Sequence, residues 1–194
     1  MKHLLNPFQK MAGWQALIFG LTAIAITSIL AAVFDVHLDG ILEMHLNGEV
    51  GMALAIQENL INWLTLVVVF GVAAWLFNRG GFRILDLLGI MAFARVPFIP
   101  LPPLNEIFKA RMIGKKIEQN LLEDSGAFML SNSETVLFTA YLIISLLFII
   151  LSVTWMYNGF RILSNARGIK TNAAFIVAIL AGSVLSKVLI NWLQ

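Results

Sequence analysis

Two charged side chains sit inside the apolar run Ile84 to Val96, and intramembrane chemistry would be sought there first. Asp86 and Arg95 are nine positions apart, which at about 100° per residue sets them on opposite faces of one helix, so they cannot pair with each other. Asp86 lies about one turn from the start of the run, within reach of Arg79, Arg161 or water. Arg95 lies about 18 Å along the helix, where a cation costs about 2.5 to 3.5 kcal/mol to insert. A carboxylate, Glu58 or Asp35, or the carbonyls freed ahead of Pro97, is its expected rescue. Lys187 falls at comparable depth in the last apolar run. Two cations in one leaflet could make an anion or lipid-phosphate site; snorkelling of both towards headgroups is the competing expectation.

A second group, His37, Asp39, Glu43 and His45, offers metal-ligand types close in sequence. It is a weak candidate. A helix turns the carboxylates one way and the histidines another, and a strand spaces same-face neighbours too widely, so a solvated acidic face is the default. Catalytic signatures are missing: there is no zinc-protease helix motif, no phosphate-cradling loop and no Gly-x-Ser-x-Gly elbow. All three histidines lie outside the apolar runs. An enzyme is the least expected class, and no cofactor is expected.

The elements that must position these residues follow from composition. Of 194 residues 59% are hydrophobic and 12% charged, where soluble domains carry roughly 25% charged residues. Mean hydropathy is +0.86. The excess is concentrated in five runs near the length of about 20 residues that a membrane crossing needs. The expected fold class is all-α, a polytopic transmembrane helix bundle forming one integral-membrane domain over 1–194, with spans at about 14–34, 60–77, 84–101, 136–157 and 173–193. The 13 Lys and Arg are scattered at span ends rather than massed on one stripe, which speaks for topology and against nucleic acid. With no cysteine, disulfides, thiolate zinc sites and cysteine nucleophiles are excluded.

Along the chain, Lys2, Lys10 and Asn6-Pro7-Phe8 precede an apolar run too long for a signal-peptide core, so it is expected to remain as the first span. Ala12, Ala16, Gly20, Ser28 and Ala32 line one face of it, interrupted by Ile24. Residues 35–59 hold five acids and no Lys or Arg, and 35–46 suit either an amphipathic helix or an extended piece on the bilayer surface. Trp63 and Trp75 suit the two interfaces of the second span. Gly80 and Gly81, between Arg79 and Arg83, predict a tight turn that makes spans two and three an antiparallel hairpin. Pro97, Pro100, Pro102 and Pro103 end the third segment, forbid continued helix and favour extended backbone buried in protein or at the interface. Residues 104–135 read as a polar loop, weakly amphipathic at best, with Ser131 and Glu134 at capping-box spacing. Ala174, Ala178, Gly182 and Ser186 make an unbroken small-residue ladder in span five, which is the expected neighbour of the third segment.

Counting charges sets the orientation. With the N-terminus cytoplasmic and five crossings, Lys2, Lys10, Arg79, Arg83, Arg161, Arg167 and Lys170 lie inside, seven against four outside. A re-entrant third segment gives eight against three, so charge leaves both open, while length favours a crossing. Gly81-Phe82-Arg83-Ile84-Leu85 recurs as Gly159-Phe160-Arg161-Ile162-Leu163, as a parallel repeat or as two independent interface anchors.

The double glycine opening a third span that closes on Pro97, the Asn6-Pro7-Phe8 leader, and the basic link from Tyr157 to Ala173 through Gly168-Ile169-Lys170 resemble the bacterial branch of the Ypt/Rab-interacting-protein (YIP) family of five-span membrane proteins. The resemblance rests on order and spacing and covers most of the chain. It implies, for bacterial members, an integral membrane protein of poorly defined role; the function expected for this chain is a membrane-organising or trafficking-type scaffold at the inner membrane if bacterial, acting through lipids, other membrane proteins or a homo-oligomer. Eukaryotic members are associated with Rab-type GTPases through a cytosolic N-terminal domain. Only about 13 residues precede the first span here, and no Asp-Leu-Tyr-Gly-Pro-like motif occurs, so GTPase binding is not expected. The alternative is a small transporter or channel-like protein with its site near Arg95 and Lys187.

Overall fold

The computed structural model describes residues 6–46, 48–78, 81–122 and 130–193. Among them the fold is all-α, with one isolated β-bridge between His37 and His45. The helices are α1 (Gly13–Val33), α2 (Met52–Phe77), α3 (Ile84–Phe93), α4 (Leu101–Ile107), α5 (Ala110–Leu122), α6 (Asn132–Ser164) and α7 (Ile169–Leu193). Five segments are long and apolar enough to cross a membrane, the third being the broken run Ile84–Ile107. This is the architecture of an integral membrane protein. Arg79 and Gly80 of the expected turn lie outside the described residues, as does Lys2. Gly81 is exposed beside Asn78.

The third segment is the most buried of the five, and its main neighbour is α1, not span five. Small residues let the two backbones meet. A methyl added at Gly20 would run into the backbone of Ala92 and Phe93, and one at Gly89 would lie 2.9 Å from the Gly13 carbonyl. Gly13 and Leu17 therefore face Gly89, Gly20 faces Ala92 and Phe93, and Ala31 clusters with Phe98 and Leu101. The two segments run parallel, and the third segment reaches the end of the bundle where α1 finishes. That is a crossing in geometry rather than a hairpin return.

Against α2 the register runs the other way, as the hairpin expectation requires: Asn59 meets Arg95, Trp63 donates to the Leu88 carbonyl at 3.2 Å, and Gly71 touches Leu87. Trp63 is thus a bond between helices rather than an interface anchor, while Trp75 is exposed. The ladder of α7 packs on α2, where Phe70 lies 5.4 Å from Phe175 and Asn62 accepts from Ser186. On the other side α6 closes over α3, with Trp155 stacked on Phe93 at 5.2 Å and Gly159 against Ile90.

Three sequence expectations need correcting. α2 begins at Met52, eight residues before the predicted Leu60, because the polar Glu58, Asn59 and Asn62 are buried on its inner face rather than looped out. The prolines do not make extended chain: Pro97 opens a 3₁₀ turn (Val96–Phe98), and Pro102 and Pro103 lie in the first turn of α4, where a missing N–H leaves no bond unmade. Residues 104–135 include the amphipathic helix α5, with Ala110 and Ile113 buried and a left-handed Lys109 joining it to α4. The capping box is present, Ser131 accepting from the Glu134 amide while Glu134 reaches back to Ser131. The two Gly-Phe-Arg-Ile-Leu echoes differ, the first leading into α3 at Arg83 and the second lying inside α6, so they do not mark a repeated structural unit.

Candidate functional site

Arg95 is the largest fully buried side chain among the described residues, 1% exposed. The break in the third segment places it there. Pro97 has no N–H to continue the helix, so α3 ends at Phe93, and the chain turns through Ala94 and Arg95 into the 3₁₀ turn. The freed Ala94 carbonyl takes the Ser152 hydroxyl of α6 at 2.6 Å. Arg95 then points across the bundle, donating through Nη1 to the Ile41 carbonyl at 2.6 Å and through Nη2 to Asn59 Oδ1 at 3.3 Å. Its guanidinium also stacks over Phe98, 4.0 Å from the ring centroid.

What Arg95 holds is the connection between α1 and α2. This segment is not a surface helix. Val36, Leu38 and Ile41 are fully buried, and the antiparallel bridge folds His37 back onto His45. Extended backbone taken into a bundle must find partners for its N–H and C=O groups. The α2 face supplies them: Glu58 accepts the Leu38 N–H at 2.8 Å and Asn62 donates to the Leu38 carbonyl. Glu58 also bonds His37 Nδ1 at 2.9 Å. Glu58, Asn62 and Arg95 thus grip successive carbonyl and amide groups of one plugged loop.

The mouth of the loop is closed by charge. Asp35, in a left-handed conformation, accepts the Val50 N–H at 3.1 Å and pairs with Arg111 of α5 at 3.3 Å, while Arg111 also reaches the Gly48 carbonyl. The Val50 N–H, and then the Arg111 guanidinium, hold the Asp35 carboxyl below its ordinary value. Lys187 of α7 pairs with Glu43 near the loop tip.

The sequence candidates therefore separate. Arg95 and Lys187 do not converge on one anion; each binds a different part of the same loop. Arg95 does not snorkel, being sealed in the bundle, whereas Lys187 is 45% exposed beside its carboxylate. Of the rescues expected for Arg95, Asp35 is used by Arg111, and the partners found are a backbone carbonyl and an amide. His37 goes to Glu58, His45 to Asp39 at 2.7 Å, and Glu43 to Lys187. Among the described residues no group of three or more His, Asp or Glu is placed to hold a metal. Asp86 sits in the first turn of α3 beside Gly13 at the start of α1. Pro97 is buried, where it sets the break.

Sequence reading missed Asn59, Asn62 and Ser152, and named Glu58 and Ser186 only for other roles, as a partner of Arg95 and as a rung of the span-five ladder. The signal was available in α2: residues 55, 58, 59, 62, 65 and 66 fall at i, i+3, i+4, i+7 spacing, and all are buried. Compared with protein families, curated proteins and solved structures, the chain shows no match.

Proposed function

We propose that this chain is a five-span integral membrane protein, N-terminus cytoplasmic, that works as a membrane-organising or trafficking-type scaffold through helix and lipid contacts. The observation that carries the reading is the closure of Arg95. This buried cation gives both terminal guanidinium nitrogens to the protein's own Ile41 carbonyl and Asn59 amide oxygen, in a place where a carrier would offer them to a solute. Two further buried pairs bond within the protein in the same way, Ser152 with the Ala94 carbonyl and Ser186 with Asn62. What remains for interaction is the apolar exterior, including exposed Val177, Leu180, Val184 and Val188 along α7.

The broken third segment is the feature that favours a transporter, since such helices supply binding groups at mid-membrane. Here one of the carbonyls it frees, that of Ala94, is capped by Ser152, which weighs towards the scaffold. Crosslinking in native membranes followed by mass spectrometry tests the choice, and a neighbouring membrane protein or a second copy is the expected product. Recovery of the chain alone, together with solute efflux from proteoliposomes that Arg95→Ala and Lys187→Ala abolish, would replace the scaffold with the transporter.

A further inference from the structure

We propose that the end of the bundle where α1 begins and α6 finishes carries a binding site for a phosphate group, of the kind borne by an anionic lipid headgroup or by free phosphate. A cavity of about 500 Å³ lies there, lined by Asn6, Gln9, Asn158, Arg161, Asn165 and Arg167. Its chemistry is one-sided. Two guanidinium groups and four amides line the space, and among the described residues no carboxylate does. Guanidinium forks match phosphate oxygens in pairs, and amide N–H groups complete the oxygen shell.

The site is built rather than incidental. Arg161 stacks over the Tyr157 ring, 5.6 Å from its centroid, and the Tyr157 hydroxyl donates to Asn172 of α7 at 2.6 Å, so the cation is steered before any ligand arrives. The opposite wall is the N-terminal segment, folded back and pinned by Phe8, which is buried edge-on to Phe93 at 5.9 Å and against Gly159. That wall contributes the Asn6 and Gln9 side-chain amides to the lining. Each of these amides carries an NH2 group that can donate to phosphate oxygens. Finally, the cavity lies between the beginning of one apolar helix and the end of another, the level at which headgroup phosphates sit.

The inference does not rest on the scaffold reading, and its test is separate. The purified full chain in an uncharged detergent is titrated with dihexanoyl phosphatidic acid, with dihexanoyl glycerol and with inorganic phosphate, the phosphorus probes being followed by ³¹P NMR. Saturable binding of phosphatidic acid is expected, with no competition from dihexanoyl glycerol. Arg161→Gln and Arg167→Gln should each weaken it by about tenfold or more, the usual loss for a charge-assisted hydrogen bond. Lys170→Gln, a basic neighbour outside the cavity lining, should leave it unchanged, and Asn6→Asp should weaken it while both arginines remain. Displacement by inorganic phosphate at similar concentration identifies free phosphate as the ligand; its failure identifies the lipid headgroup. The arginines also complement the carbonyl end of α6. If the arginine substitutions lower the unfolding midpoint yet leave binding intact, that structural role is the whole of their function and the proposal falls. It falls equally if Lys170→Gln weakens binding as much as they do, or if Asn6→Asp has no effect.

Discussion

Arg95, a candidate site residue in the sequence, is bound in the fold by the protein's own loop and by α2. Its depth and its neighbouring prolines are legible from the chain alone. Its partners are not, because Ile41 and Asn59 lie 54 and 36 positions away, in a loop and a helix turn that read as solvent-facing. Hydrogen bonds inside membrane bundles are worth roughly 0.6 to 1.7 kcal/mol each, and truncation also empties a large buried volume. Arg95→Ala should therefore destabilise the protein by about 2 to 4 kcal/mol in detergent unfolding. Arg95→Lys should recover little of this, since one ammonium cannot span both acceptors and stack on Phe98. An unchanged midpoint for Arg95→Ala would remove the lock from the account.

Asp35 carries the residue-scale pH dependence. Its folded-state pKa is depressed, so the closure of the loop mouth is fully supported above the ordinary aspartate value of 3.8 and is lost as pH falls through the lower folded value. Hydrogen exchange at the Val50 amide should accelerate in that acidic window. Asp35→Asn should abolish the pH dependence.

At the scale of elements, span positions were readable from hydropathy because lipid-facing runs must be apolar along their length. Boundaries failed where polar residues turned inward, as at the start of α2. Small-residue ladders were also readable, but not their partners: α1 pairs with the third segment and α7 with α2, a choice made by the shapes of the facing helices. Two glycines separate close approach from open space. Gly20→Ala pushes a methyl into the backbone of Ala92 and Phe93 and should cost about 1 to 3 kcal/mol. Gly114→Ala in α5 meets nothing within 4 Å and should gain about 0.5 to 1 kcal/mol from helix propensity. Unfolding midpoints that move in the same direction for both would contradict the helix contacts described.

At the scale of the molecule, the parallel run of α1 and the third segment supports an odd number of crossings with alternating ends. Since the chain has no cysteine, single substitutions report cleanly. Ser133→Cys and Lys170→Cys should be labelled from opposite sides of sealed vesicles. The charge count predicts the Lys170 side to be cytoplasmic.

The central claim is that the bundle is sealed around Arg95 by its own loop. Ala94 is adjacent and fully buried, whereas Glu49 is exposed on the loop. The direct measurement is the rate at which a membrane-impermeant thiol reagent modifies Ala94→Cys and Glu49→Cys in native membranes. The account predicts rapid modification at position 49 and none at 94 from either side. Modification of Ala94→Cys as fast as Glu49→Cys would mean that water reaches Arg95, and the sealed bundle would be contradicted.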